Sequence, residues 1–265
     1  MRTFILIRGG GDLASGVALR LYHAGFAIAI TELPQPLAVR RTVAFSEAVY
    51  EGTWTVEDVT AQHVETYQEF QTVLSQRNIP VLVDPDLQRV HAFGLQPAAI
   101  VDARLLKQDA PPLTTASPII IGLGPGFIAG KNCHAVIETQ RGHTLGRVYW
   151  NGPASPNSGL PEGDPRRVLR APQDGLLIGH AQIGEHLEPG QTIAQVNGQA
   201  ITAPFRGVLR GLIRPGLYVT AGLKIGDLDP RDRREYCFLV SDKALAIAGG
   251  VLEAVMRCQA QSEKV

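Results

Sequence analysis

The stretch TFILIRGGGDLASGVALRLYHAGFAIAITE, residues 3–32, decides the predicted fold of this chain. Its apolar run 3–8 is typical of a short buried strand, and the glycine turn after it leads into apolar residues at helical spacing. Gly25 is placed to end that helix, and the run 27–32 is typical of a second buried strand. The stretch therefore predicts a strand, a helix and a parallel strand at the start of an α/β domain.

Residues 9–14 of this stretch, GGGDLA, fit the pattern G-x-G-x-x-A between a strand and a helix. In that context the glycines allow a tight turn, and the amides of the helix N-terminus favour a phosphate. A carboxylate at the end of the second strand would bond a ribose. We predict a nucleotide-like cofactor bound by Gly9, Gly11, Asp12, Ala14 and Glu32. The alternative is a tight turn that binds no ligand.

Asp12 lies where the phosphate would sit. It is either an acidic residue that favours the first helical turn or a sign that the ligand differs from ordinary NAD. Arg40 and Arg41 follow the rigid turn Pro34-Gln35-Pro36. Guanidinium groups bind phosphate and carboxylate through paired hydrogen bonds, so we predict that this pair contributes to the cofactor site. The alternative is a solvated basic pair.

A second glycine-rich loop, GLGPGFIAG at residues 122–130, follows another buried apolar run. Several glycines in one loop indicate positive φ angles or close approach of a ligand, and successive amides can bind an anion. We add to the predicted cofactor site Gly122, Gly124, Gly126, Lys131, His134 and His143. Structural or merely exposed histidines are the alternative. No metal-ligand pattern is present, so no metal site is predicted.

Three further groups are weighed and set aside. Asp84 and Asp102 end two buried strands, where open α/β sheets bind ligands, but we interpret them as residues of the strand-end turns. Cys133 beside His134 is not expected to form a nucleophilic pair, because neighbours in a strand point to opposite faces. No catalytic residue is assigned, and whether the chain catalyses a reaction stays open.

An internal repeat lies in the second half of the chain. The segments APQDGLLIGHAQIGEHLEPGQTIAQV from Ala171 and APFRGVLRGLIRPGLYVTAGLKIGDL from Ala203 match without a gap, and their glycines and Ala-Pro pairs coincide. Each copy predicts short strands joined by glycine turns and is too small to bury its apolar face alone, so the two copies must pack on each other. The Asn197-Gly198 pair between them is typical of a type I′ hairpin turn.

The repeat resembles the biotinyl/lipoyl domain, a barrel-sandwich hybrid. In that family the turn between the copies carries a lysine to which the swinging cofactor is attached. The corresponding turn here, VNGQ at residues 196–199, has no lysine, so the resemblance implies the fold and not the carrier function.

The predicted fold class is α/β, with a Rossmann-like domain and a small all-β barrel-sandwich domain. The predicted domains are residues 1–150, which bind the ligand, residues 165–232, which hold the repeat, and residues 236–260. The last segment is predicted to form a strand over CFLVSD and a helix that returns to the first domain. The stretch 151–164 is rich in turn-forming residues and predicts a linker or long loop.

The amino-acid composition limits the classes of partner and the compartment that we expect for this protein. The 25 basic residues balance 25 acidic ones, so no overall field attracts nucleic acid or an anionic membrane. The 3 cysteines show no paired spacing, which favours a reducing compartment. No apolar run is long enough for a signal sequence or a membrane span. We expect a cytoplasmic protein, and a homo-oligomer remains open.

Several blocks together resemble the YqeB family of selenium-dependent molybdenum hydroxylase system proteins. They are RGGGDLASGVALRL, TELPQPLAVRRTVAFSEAVYEG, GLGPGFIAG, HAVIETQRGHTLGRV and the repeat ending in GLKIGDLDPR. The resemblance implies an accessory or maturation protein that serves a molybdenum hydroxylase apoenzyme or its maturation system. The candidate cofactors are a molybdopterin-type cofactor and NAD(P). An NAD(P)-dependent oxidoreductase and a non-catalytic scaffold are the alternative functions.

Overall fold

The computed structural model describes residues 2–106, 108–112, 119–156 and 163–262. These form two compact units. The first holds the described residues of 2–36, 45–156 and 240–262, and the second holds 37–44 and 163–239. Residues 157–162 of the predicted linker lie outside the described part of the chain.

The first unit contains short strands and helices that follow one another along the chain. Its strands are β1 Phe4–Arg8, β2 Ala27–Glu32, β3 Thr53–Val56, β4 Val59–His63, β5 Ile79–Val83, β6 Ala99–Asp102, β7 Ile119–Leu123, β8 Ile128–Ala129, β9 Ala135–Ile137, β10 Val148–Tyr149 and β11 Gly152–Pro153. Its helices are α1 Asp12–His23, α2 Ala48–Glu51, α3 Tyr67–Ser75, α4 Gln88–Ala92 and α5 Asp242–Ser262.

The strands form a nine-stranded sheet in the order β10-β9-β7-β6-β1-β2-β5-β4-β3, while β8 and β11 pair separately. Strands β4, β5, β2, β1, β6, β7 and β9 run parallel, and β3 and β10 are antiparallel at the two edges. Most of the parallel strands are apolar along their length because both faces of the sheet are covered, whereas β4 also contains Thr60, Gln62 and His63. On one face, Leu6, Ala29 and Leu82 pack with Phe70 of α3.

Helices α1 and α5 pack on each other within the first unit. A Cβ at Gly16 of α1 would lie 2.7 Å from the Ala244 Cβ, so the missing side chain allows the close crossing. Gly250 of α5 likewise lies against the Gly146 carbonyl. Helix α5 begins after Ser241, whose Oγ accepts a hydrogen bond from the Ala244 amide, as expected of an N-cap residue. The predicted strand before it is wrong: residues 234–237 form a 3-10 turn, and no strand follows.

The second unit holds the internal repeat. Its strands are β12 Val168–Arg170, β13 Gly175–Gly179, β14 His186–Leu187, β15 Thr192–Val196, β16 Gln199–Thr202, β17 Gly207–Leu212, β18 Tyr218–Val219 and β19 Lys224–Asp229. They form two antiparallel sheets, β12-β19-β17-β14 and β16-β15-β13-β18. Each copy of the repeat contributes one short strand to the other sheet, β14 from the first copy and β18 from the second.

The two copies share one hydrophobic core. Leu177 and Ile193 of the first copy pack in the same cluster as Leu209 and Ile225 of the second, which confirms that the copies pack on each other. Asn197 and Gly198 both have positive φ, at 47° and 78°, as the predicted type I′ turn requires.

The predicted fold class is wrong. The first unit is a large mixed sheet with antiparallel strands at both edges, and no described helix lies between β6 and β7 or between β7 and β9. A Rossmann-like domain would have such crossover helices. The second unit contains two separate antiparallel sheets rather than one small barrel-sandwich. Apolar runs reveal buried strands, but they carry no information on which strands are neighbours.

Candidate functional site

The carboxyl ends of five parallel strands bring distant residues into one row, which we call the carboxyl edge. In the register of the sheet, Arg8 is opposite Thr31 on one side and Asp102 on the other, and Asp102 is opposite Gly122. Glu32 is opposite Val83. Neighbouring strands are about 4.8 Å apart, so Arg8 and Gly122 are roughly 10 Å apart. Both glycine loops therefore begin at the same edge of the sheet.

The edge also contains the point where the chain changes direction across the sheet. From β1 the chain crosses to β2 on one side, and β6 pairs with β1 on the other side. Open α/β sheets bind ligands in the crevice at such a point, outside the carboxyl ends of the strands. Arg8, Asp102 and the loop from Gly9 flank this position.

Arg8, Asp102 and Arg104 form an ion cluster at this point. The Asp102 carboxylate is fully buried and receives the Arg104 guanidinium through two hydrogen bonds, from Nε at 2.8 Å and from Nη2 at 2.6 Å. Arg8 Nη1 lies 3.3 Å from the same carboxylate, and Arg8 Nη2 donates to the Pro85 carbonyl. Burial lowers the pKa of Arg8, although Asp102 opposes this shift. Two guanidiniums share the Asp102 carboxylate, and the carboxylates of Asp84 and Asp86 also act on Arg8.

The first glycine loop is packed closely by the protein itself. Gly9 has a φ of 90° and donates its amide to the Thr31 carbonyl. A Cβ at Gly10 would lie 2.9 Å from the Ser46 amide nitrogen, and that amide donates to the Gly10 carbonyl. At Gly9 a Cβ would lie 3.6 Å from Cγ of Arg104, so Arg104 lies against the loop.

Glu32 holds this loop in place. One of its carboxylate oxygens accepts the Gly10 amide at 2.6 Å and the other accepts the Leu33 amide at 2.7 Å. Burial raises the pKa of Glu32, and these two amide hydrogen bonds offset part of the shift. Glu32 therefore fixes the conformation of the loop by accepting these two amide hydrogen bonds. A hydrogen bond from Glu32 to a ribose stays a prediction.

The start of α1 is open on one side. Gly11 is the N-cap residue, no side chain caps the helix, and a Cβ at Gly11 would meet nothing within 4 Å. Asp12 lies in the first turn, as an acidic residue that favours the helix would. Ala14 is buried, so it packs inside the unit and does not face a ligand.

In the second glycine loop, close packing within the protein accounts for the glycines at positions 122 and 124. A Cβ at Gly122 would collide with the Phe127 ring, and one at Gly124 would collide with Thr139. The Gly124 amide donates to the Ile137 carbonyl, and Asn132 bonds the carbonyl of Gly126 and the amide of Ile128. The amides of Gly124 and Ile128 are donors that the predicted anion site would need, and these hydrogen bonds already occupy them.

The remaining residues that the sequence predicts for this site, Lys131, His134 and His143, lie at different positions in the first unit. His134 lies beside Ile120, toward the amino end of β7, and its Nδ1 accepts the Ile120 amide at 2.9 Å. Lys131 is exposed and pairs with Asp109 at 3.2 Å. His143 is exposed in the turn between β9 and β10. Of the second loop's predicted residues, Gly122 and Gly124 thus lie at the carboxyl edge, and His134 does not.

Glu138, which the sequence does not single out, follows β9 at the carboxyl edge and is fully buried. Its oxygens accept the amides of Gln140 and Ser155, each at 2.8 Å. Burial raises the pKa of Glu138, but hydrogen bonds from Ser155 and the backbone outweigh it, so the net shift is downward. A buried carboxylate is thereby kept ionised beside the second glycine loop.

Cys133 does not provide a nucleophile. It is buried, and burial raises its pKa to about 11. The thiolate is the reactive form, so this thiol is inert near neutral pH. Among the described residues, no group of three His, Cys, Asp or Glu side chains is arranged to hold a metal ion.

Arg40 and Arg41 belong to the second unit. Arg40 Nη2 donates to the carbonyls of Tyr236 and Leu239, and Arg41 Nε donates to that of Leu212. The structure therefore gives these guanidiniums bonds to backbone groups of the second unit, and their contribution to a cofactor site stays a prediction.

Sequence comparison finds one close relative. The chain is 46% identical over 264 residues to a protein of Escherichia coli strain K12 named "Uncharacterized protein YqeB". The match covers 98% of this chain and 48% of that protein, so the chain spans about half the length of its relative. The comparison supports the predicted resemblance to the YqeB family. No protein-family model matches the chain.

Comparison with solved structures gives distant similarities. An aspartoacylase family protein from Mesorhizobium loti is 12% identical, with 86% of this chain and 84% of that chain covered and a TM-score of 0.27. A succinylglutamate desuccinylase from Silicibacter sp. TM1040 is 13% identical, with the same coverage and a TM-score of 0.26. These scores do not indicate a shared fold. No described helix has the length and apolar character needed to cross a bilayer.

Proposed function

We propose that the carboxyl edge of the nine-stranded sheet binds the phosphate part of an organic cofactor. The observation that carries this proposal is the position of Arg104. It lies against Gly9, its orientation is fixed by Asp102, and about a third of its side chain, 32%, is exposed. A cation that is held rigidly and still reaches solvent is suited to recognise an anion.

The chemistry of the cluster supports an anionic ligand. The two bonds to Asp102 use Nε and Nη2 of Arg104, so Nη1 takes part in neither. Arg8 is nearly buried and adds a second guanidinium to the cluster, where Asp84 and Asp86 balance part of its charge. The uncapped N-terminus of α1 follows the adjacent glycine loop and adds partial positive charge.

The residues present fit a phosphate group. The open side of Gly11 leaves room at the helix N-terminus. Two buried polar atoms in this region, Arg8 Nε and Ser46 Oγ, have no hydrogen-bond partner among the described residues. Such atoms are expected to be satisfied by water or by a ligand. Arg104, Arg8 and the loop at Gly9 to Gly11 would hold the phosphate, and the cofactor itself would supply any redox or group-transfer chemistry.

The biological role in this proposal is accessory service to a molybdenum hydroxylase. It rests on the resemblance to the YqeB family, and the cofactor is then of molybdopterin type or a nucleotide. The proposed partner is the hydroxylase apoenzyme or its maturation system. Capture of that apoenzyme by the chain, strengthened when the cofactor is added, would support this role. Equal capture without cofactor would contradict it.

Calorimetric titration tests the binding step. The folded chain is titrated with NAD(H), NADP(H), ADP, CDP and molybdopterin, and we expect saturable binding of at least one, with one ligand per chain. Substitution of the half-buried Arg89, which donates to the Glu65 carbonyl elsewhere in the first unit, provides a control for substitution of Arg104. If none of these ligands binds to protein whose fold is verified by circular dichroism, the proposal fails. Oxidation of bound NAD(P)H by a substrate would instead indicate the oxidoreductase.

A further inference from the structure

One sheet of the second unit has an apolar outer face. In β13, Leu177 packs in the core of the unit, whereas Leu176 and Ile178 are 49% and 44% exposed. Tyr218 of β18 lies opposite Leu176 in the register of the sheet and is 68% exposed. Side chains alternate between the two faces of a strand, and residues opposite each other share a face. Leu176, Ile178 and Tyr218 therefore lie together on one surface, which we call the outer face of the β13 sheet.

The strands of this sheet contain no charged residue. The sequences of β13, β15, β16 and β18 are GLLIG, TIAQV, QAIT and YV. Gln195 of β15 lies opposite Ile178, and Ala200 of β16 lies opposite Gln195, so the outer face continues across the sheet with uncharged side chains. The other sheet of the unit contains charged residues such as Arg210 and Asp227. Charged side chains are a common means of keeping exposed sheets from associating with other chains, and these four strands lack them.

The internal repeat shows that the equivalent face of the other sheet is covered. At the spacing of 32 residues that relates the two copies, Leu176 corresponds to Val208 and Ile178 to Arg210. Both of these residues of β17 are buried. The 3-10 turn at residues 234–237, in the same unit, packs on β17. The chain thus covers one of the two equivalent faces with its own residues and leaves the other exposed.

We infer that the outer face of the β13 sheet is the interface through which two copies of this chain form a two-fold symmetric dimer. In such a dimer the same surface of each copy meets itself. A surface without charges can meet itself without repulsion between like charges, whereas a charged partner would lose its hydration here and gain no opposite charge. Homodimer interfaces are also rich in apolar side chains, and tyrosine is enriched at interface centres.

The position of Ile178 makes it the residue on which the interface is best tested. Its strand, β13, is one of the two central strands in the order β16-β15-β13-β18. Two sheets that pack face to face lie about 10 Å apart, with their side chains interdigitated. A charge at position 178 would therefore be buried in the dimer and would lie close to the second copy. The dimer does not depend on cofactor binding by the first unit.

Sedimentation equilibrium of the full chain, at concentrations up to about 100 μM, measures the dimer Kd. We expect wild type to dimerise. Ile178→Glu and Ile178→Lys should each raise the dimer Kd at least about 30-fold, as substitution of a central interface residue does. The matched control is Met256→Glu, which places the same charge on an exposed apolar residue of α5 in the first unit. The control should dimerise with the Kd of wild type.

An equimolar mixture of Ile178→Glu and Ile178→Lys separates a second copy from any other partner. Opposite charges then meet across the interface, so the mixture should associate more tightly than either variant alone. Thermal unfolding of dilute protein reports whether each variant is folded, and Tyr218→Lys replaces an Ile178 variant that is not. Three results overturn the inference: a wild type that stays monomeric, folded variants of Ile178 or Tyr218 that dimerise as wild type does, or a mixture that associates no more tightly than its components.

Discussion

Asp102 holds Arg104 through two parallel hydrogen bonds while Arg8, 94 residues away in the chain, approaches the same carboxylate from β1. The buried carboxylate thereby fixes the position of one exposed cation and offsets the charge of one buried cation. It links the stability of the sheet to the geometry of the candidate site.

Asp102→Asn should destabilise the protein. Removing one partner of a buried ion cluster typically costs about 3 to 5 kcal/mol, because the remaining charges lose compensation. Since Arg104 is partly exposed, we expect a loss near the lower end, about 3 kcal/mol, in the free energy of unfolding measured with urea. A loss below roughly 1 kcal/mol, the value typical of an exposed ion pair, would contradict a central structural role for this cluster.

Two adjacent glycines should respond differently to alanine. Gly10→Ala places a Cβ 2.9 Å from the Ser46 amide nitrogen and should cost about 1 to 3 kcal/mol of stability, as overpacking does. Gly11→Ala meets no atom within 4 Å and has a φ of −66°, so its stability should stay near that of wild type. Urea denaturation of both variants checks this difference. Equal losses would mean that the loop is not packed as described.

Glu32 and Glu138 should give opposite dependences of stability on pH. The pKa of Glu32 is raised in the folded state, so its contribution is full below the ordinary value of 4.5 and is lost as pH rises through the folded pKa. Relative to Glu32→Gln, wild type should therefore lose stability with rising pH above 4.5.

Glu138 has a lowered pKa, so its contribution is full above 4.5 and is lost as pH falls through the folded pKa. Relative to Glu138→Gln, wild type should gain stability as pH rises toward 4.5. Urea denaturation between about pH 3 and pH 7 measures both differences. The same sign for the two residues would show that the assigned pKa directions are wrong.

The adjacent glycines of α5 form another matched pair. A Cβ at Gly250 would lie 2.2 Å from the Gly146 carbonyl oxygen, whereas one at Gly249 would meet nothing within 4 Å. Gly249→Ala should stabilise the helix by up to about 1 kcal/mol, the propensity difference between the two residues. Gly250→Ala should instead lower the thermal unfolding midpoint. A raised midpoint in both variants would exclude the close contact between α5 and the turn that joins β9 and β10.

Local structure could be predicted from the sequence more readily than the site. The first strand, helix and strand follow from residues 3–32, and the type I′ turn follows from Asn197-Gly198, because short-range periodicity and turn chemistry determine them. The order of strands could not be predicted, since all buried parallel strands show similar apolar runs.

The ion cluster was missed for the same reason. Arg8 ends an apolar strand and Arg104 follows Asp102 by two residues, and neither forms a motif. They meet only because β1 and β6 pair in the sheet. Asp102, interpreted from the sequence as a turn residue, is instead the buried centre of the cluster. The sequence predicts that Arg40 and Arg41, after the turn Pro34-Gln35-Pro36, contribute to the cofactor site, and the hydrogen bonds shown for their guanidiniums go to backbone carbonyls of the second unit.

The central claim is that the carboxyl edge, at Arg104, binds the cofactor phosphate. It is tested most directly by the calorimetric Kd of the phosphorylated ligand that binds wild type, compared between Arg104→Gln and the control Arg89→Gln. We predict that Arg104→Gln weakens binding by about 30-fold or more, as expected when a charge-assisted contact is lost, while Arg89→Gln leaves the Kd unchanged. An unchanged Kd in folded Arg104→Gln would contradict the claim.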